Sequence, residues 1–130
     1  MISNYFSQIE GLLASFPYIV SIESSFETVD IDRGYFRVKL VLANGSELYL
    51  FEFVEIINNK PVVSKYRYHW QAKDSKIILR WDNAPHHKEI ETFPHHLHEG
   101  EDRVKPSEKP DLSFVLLKIS DIIEKGKYGN

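Results

Sequence analysis

A chain of 130 residues with 42% hydrophobic and 27% charged side chains has the composition of one globular domain with one core, which excludes disordered and fibrous classes. Cysteine is absent, so a disulfide framework, a thiolate metal site and a cysteine nucleophile are all excluded. The formal net charge of −3 argues against a strongly electrostatic nucleic-acid binder, and no stretch approaches the roughly eighteen continuous apolar residues of a membrane span. The expectation is a soluble, cytoplasmic protein with no membrane partner.

The first element is helical. Ile2, Tyr5, Phe6, Ile9, Leu12, Leu13 and Phe16 fall on one helical face, which Ser3 or Asn4 can cap and Pro17 ends. From Ile19 to Val29 the period changes to two, with Val20, Ile22 and Phe26 inward and Ser21, Glu23, Ser25 and Glu27 outward. Residues 34–43 alternate again, with Phe36, Val38, Leu40 and Leu42 inward. Asn44-Gly45 then predicts a type I′ turn, which needs positive φ at both central positions. The run from Ser46 to Ile57 is apolar on both faces and therefore reads as a central strand. Glu52 inside it is costly unless paired, and predicts either a cation from a neighbouring strand or the floor of a site.

After the turn at Asn58-Asn59, Val62 to Ala72 sets Tyr66, Tyr68 and Trp70 against Lys65, Arg67, His69 and Gln71. Lys76 to Asp82 sets Ile77, Leu79 and Trp81 against Ile78, Arg80 and Asp82, so Arg67 and His69 lie across from Arg80 and Asp82. Residues 83–109 show no period and read as one long functional loop, stiffened by prolines, with a mobile tip at 99–103. Asp111 caps a second amphipathic helix, built on Leu112, Val115, Leu116, Ile119, Ile122 and Ile123 and closed by Gly126. The predicted fold is α+β: a single domain over 1–130, with a five-stranded antiparallel meander and both helices on one face.

The charge is unevenly spread. Residues 1–32 hold five acids and neither lysine nor arginine, whereas Lys60, Lys65, Arg67, Lys73, Lys76 and Arg80 face Asp74 alone between residues 60 and 80. Cations interleaved with Tyr66, Tyr68 and Trp70 have the composition of a single-stranded RNA groove, and equally of a solvated strand with a half-buried aromatic face. Five of the six histidines follow between Arg80 and His98, among Asp82, Asn83, Pro85 and Pro94. Imidazole exchanges protons or binds metals at neutral pH, so the density reads as chemistry before it reads as a polar loop.

The segments Tyr66-Arg67-Tyr68-His69-Trp70, Arg80-Trp81-Asp82-Asn83-Ala84-Pro85-His86-His87 and Thr92-Phe93-Pro94-His95-His96-Leu97-His98 resemble the TumE-type toxin family of prokaryotic toxin-antitoxin systems, and Leu48 and Glu52 fit the same pattern. The resemblance implies a toxin that acts on RNA and is encoded beside a helix-turn-helix antitoxin.

Metal-independent RNA cleavage needs a base, an acid and a cation for the phosphate. The sequence offers His96 or His98 with His86 as the acid/base pair, Arg67 and Arg80 as phosphate clamps, and Asp82 to orient an imidazole. His87 and Glu52 complete the catalytic candidates, and His69, Tyr68, Asn83 and His95 the substrate-binding ones. No cofactor is expected on this reading. The alternatives are a metal held by the histidine cluster, and a non-catalytic module whose loop binds another protein. A homodimer is left open.

Overall fold

The structure, a computed structural model, describes residues 1–126. Its elements are α1 (Ile2–Ala14), β1 (Ile19–Asp30), β2 (Arg33–Leu42), β3 (Glu47–Ile57), β4 (Lys60–Gln71), β5 (Ile77–Asp82), β6 (His96–Glu99), β7 (Arg103–Pro106) and α2 (Leu112–Glu124). The strands form a seven-stranded antiparallel meander in chain order. The expected five-stranded sheet is therefore extended by β6 and β7, which lie within the stretch read as loop. Leu97 is the only apolar residue of β6, so no alternation reveals that strand. Pairing with β5 creates it.

One face of the sheet is apolar because period-two alternation puts Phe36, Val38, Leu40, Leu48, Leu50, Tyr68, Trp70 and Trp81 on it. Ile2, Phe6, Ile9 and Leu13 of α1, and Leu112, Val115, Leu116 and Ile119 of α2, join them in the same core. Both helices thus cover one face, as expected, and leave the other open. Among the described residues no helix is long and apolar enough to cross a membrane.

Several local expectations change. The N-cap of α1 is Met1 rather than Ser3 or Asn4, and its first amide is satisfied by tertiary structure, Ile2 N–H donating to the Ile31 carbonyl at 2.9 Å. Asp111 does cap α2, accepting from Phe114 N–H at 2.8 Å, and Gly126 follows the helix with φ of 74°. At the β2–β3 hairpin only Gly45 has positive φ, at 84°, and Leu42 N–H bonds to Ser46 O at 2.9 Å. The loop therefore has three residues rather than a type I′ turn. Asn58 and Asn59, at φ 51° and 63°, supply the two consecutive left-handed residues between β3 and β4 instead. Val20 and Ile22 are 69% and 48% exposed, so the edge strand β1 contributes mainly Phe26 and Ile19 to the core. Residues 99–103 form a hairpin turn tied to β5, with Gly100 N–H on Ile78 O at 3.1 Å and Ile77 N–H on the Glu101 carboxylate at 2.8 Å.

Candidate active site

Two rows of side chains run across the open face, perpendicular to the strands. In one, Arg37, Phe51, Arg67, Asp82 and His96 are successive register partners from β2 to β6. In the other the partners are Lys39, Tyr49, His69, Arg80 and His98. Directly opposed residues of an antiparallel sheet share a face, so the rows bring together six of the site residues expected from the sequence: Arg67, His69, Arg80, Asp82, His96 and His98. The register shift beside Gln71 alters the expected pattern of β5. Ile77 borders the open face with Gln71, while Ile78 is buried in the core with Leu79.

At the β5–β6 end, His96 Nε2 lies 3.0 Å from Asp82 Oδ1 and His98 Nε2 lies 3.8 Å from Asp82 Oδ2. His87 completes a triangle of imidazoles, with ring centroids 5.1 Å from His96 and 5.8 Å from His98, and His96 and His98 are 5.0 Å apart. His87 reaches this position from a backbone with φ of 56°, a left-handed conformation that costs a branched or bulky residue more than it costs histidine. His86, expected to be half of the acid/base pair, is exposed and outside the triangle; its neighbour takes the place. Adjacent residues on a turn diverge, and the sequence does not say which of them turns inward.

His96 is engaged on both sides of its ring. Its Nδ1 lies 2.9 Å from the Pro94 carbonyl, which only accepts. Its Nε2 faces Asp82 Oδ1, which also accepts the Ala84 amide at 3.0 Å. His96 is buried and both its nitrogens are engaged, which makes it a support for Asp82. His87 and His98 are the accessible imidazoles. Burial holds the pKa of His98 below the ordinary imidazole value, with His96, Arg80 and His87 adding to the effect and Asp82 opposing it.

Beside the triangle, Arg80 Nε donates to His69 Nδ1 at 2.9 Å, His69 Nε2 donates to Gln71 Oε1 at 2.8 Å, and Gln71 donates to Glu47 at 3.0 Å. The chain fixes the His69 tautomer and holds the guanidinium by its ε nitrogen, leaving the fork for an incoming anion. Burial, with Arg80 and Arg67 nearby, lowers the pKa of His69 and keeps it neutral.

Four predicted site residues belong elsewhere. Glu52 is buried on the core face, where among the described residues it makes no ion pair; Tyr5 OH donates to it at 2.6 Å and Tyr68 OH donates to its other oxygen. Burial raises its pKa while the two hydroxyls pull it back. Tyr68 is accordingly a core residue, as are Tyr66, Trp70 and Trp81. Asn83 continues the ladder of β4 with its side chain, accepting from Tyr66 N–H at 3.1 Å and donating to Ser64 O at 3.0 Å. His95 points away from His96 and His98, as alternation requires, and bonds through Nδ1 to Tyr66 OH at 2.9 Å. Sequence reasoning missed Arg37, Lys39, Tyr49 and Phe51 on the open face. Their alternation was legible, but the site they adjoin was not.

The family model described as Toxin TumE matches residues 9–126. No curated protein sequence and no solved structure matches the chain.

Proposed function

Since the chain belongs to the Toxin TumE family, which supports a toxin role, we propose that it acts by cleaving RNA through histidine acid/base chemistry. The observation that carries this reading is the pair of accessible imidazoles, His87 and His98, with ring centroids 5.8 Å apart over the buried Asp82–His96 pair, with Arg80 next in register. His98, held neutral, takes the proton from a 2′-hydroxyl. The 2′-oxygen attacks phosphorus, the bond to the 5′-oxygen breaks, and His87 protonates that oxygen. Arg67 and Arg80 neutralise the charge developing on the non-bridging oxygens. Asp82 and His96 are positioning residues. The expected partners are RNA and a cognate helix-turn-helix antitoxin.

The test is cleavage of end-labelled RNA by protein freed of metal with a chelator. Products with 2′,3′-cyclic phosphate and 5′-hydroxyl ends are expected; ends of 3′-hydroxyl and 5′-phosphate, or no cleavage under any condition, would overturn the reading.

A second reading has its own observation. Ring nitrogens of His87, His96 and His98 lie within 4.8 Å of one another, and the His96 bond to the Pro94 carbonyl is the support that metal-ligating histidines commonly carry. A divalent first-row cation would be held through the His96 Nε2, the nitrogen that the Pro94 carbonyl leaves open. Metal retained near one per chain, with a melting temperature that falls on chelation, would favour it over the proton-transfer pair.

A further inference from the structure

The two cross-strand rows do not stop at Arg67 and Arg80. They continue onto β3 and β2 along a groove of about 840 Å³ bordered by Arg37, Tyr49, Phe51, Arg67, His69 and Arg80. At the usual strand spacing, the four steps of the row from His96 to Arg37 cover about 19 Å.

The far end has a composition that sheet packing alone does not require. Arg37 is exposed and, among the described residues, makes no ion pair, whereas the neighbouring Lys39 is neutralised by Glu47 at 3.5 Å. The Arg37 guanidinium lies 4.8 Å from the centroid of Phe51 and 5.8 Å from that of Tyr35. It is thus a cation laid over aromatic faces, with its fork uncommitted. Of the acids bordering the groove, Glu101 is engaged by the Ile77 amide and Glu23 lies opposite Lys39.

We infer that Arg37 and Phe51 form a remote subsite for single-stranded RNA, an inference that rests on the RNA-cleaving reading of the histidine end. The strand crosses β2 to β6, with phosphates on Arg37, Arg67 and Arg80 and an unstacked base on the Phe51–Arg37 surface. Sheet-borne aromatics recurrently stack such bases, and a duplex offers them no free base face.

The experiment measures binding of a fluorescent 2′-O-methyl oligonucleotide of about ten nucleotides, a length within the usual single-strand site size. Its blocked 2′-oxygen prevents cleavage, so the intact wild-type protein serves. Arg37→Ala is expected to weaken binding about tenfold and to reduce the slope of log affinity against log salt by about 0.7, the loss of one phosphate contact. Phe51→Leu, which keeps an apolar side chain on the sheet, is expected to weaken binding several-fold. A trinucleotide too short to reach Arg37 should bind all three proteins alike, and a blunt duplex should bind more weakly than the single strand.

The subsite is overturned if Arg37→Ala and Phe51→Leu bind the oligonucleotide like wild type, if the duplex binds as tightly, or if an acidic peptide binds where RNA does not. The two readings separate cleanly. Normal cleavage of short RNA with no effect of Arg37→Ala removes the subsite alone. Binding that depends on Arg37, with no cleavage of unmodified RNA, removes the catalytic assignment alone.

Discussion

His96 and Asp82 face each other across β5 and β6 at 3.0 Å, both buried, and the second nitrogen of His96 is committed to the Pro94 carbonyl. The ring is thus engaged at both nitrogens, and the carboxylate holds its Nε2 side. Removing the carboxylate strands the His96 Nε2 and the Ala84 amide, at about 1–3 kcal/mol for each buried group left without a partner. Asp82→Ala is expected to fall in that range by urea denaturation. Asp82→Asn, which keeps the acceptor for Ala84 N–H, is expected to lose less stability while still losing most activity. Equal loss of stability in both variants would show that the carboxylate charge, and not the retained acceptor, holds the pair.

The two adjacent histidines of the β5–β6 connection should behave differently. His86 is exposed and His87 stands within the imidazole triangle. His86→Ala is expected to retain toxicity and cleavage, and His87→Ala to reduce cleavage by about a hundredfold, the scale of a lost general acid. Both variants should melt close to wild type. The reverse pattern would move the acid to His86.

Acid should remove both activity and stability. The pKa of His98 is lowered, first by burial, and so is that of His69. In the window between the lowered folded values and about 6.5, the unfolded chain binds more protons than the folded one, so stability rises with pH. The contribution is complete above about 6.5 and is lost as pH falls through the folded values. With His98 as base, the acid limb of kcat/KM should likewise lie below about 6.5. Nuclear magnetic resonance titration of the imidazoles and a pH–rate profile check this; an acid limb above that value would exclude His98 as the base.

Glu52 should prove structural. Its acceptors serve Tyr5 and Tyr68 beneath the helices, on the face opposite the histidine triangle. Glu52→Ala leaves both hydroxyls without that partner, at about 1–3 kcal/mol for each one stranded. Glu52→Gln, which retains an acceptor, is expected to unfold at nearly the wild-type denaturant concentration and to cleave normally. A folded but inactive Glu52→Gln protein would return this carboxylate to the catalytic set.

What the sequence by itself determined follows from local periodicity and from segment identity. The helical spacing from Ile2 to Phe16, the alternation through β2 to β4 and the cap at Asp111 each follow from residues within one element, and each is present. The family was legible in the segments at residues 66–70, 80–87 and 92–98, and the family model matches residues 9–126. Alternation also placed Arg67 and His69 on the same face as Arg80 and Asp82, because register across a hairpin is nearly a local property.

Only tertiary structure decided the rest. β6 exists because the edge of β5 offers unpaired backbone groups to a segment with one apolar residue, and the pairing brings His96 to Asp82 and His98 to Arg80. The choice of His87 over His86 depends on a left-handed φ that the surrounding contacts impose. Glu52 is paired by hydroxyls from α1 and β4, a combination that forms only when the helix lies on the sheet. A side chain's period fixes the face on which it stands, whereas its partner is fixed by segments distant in the chain, and the chemistry of this site depends on such partners.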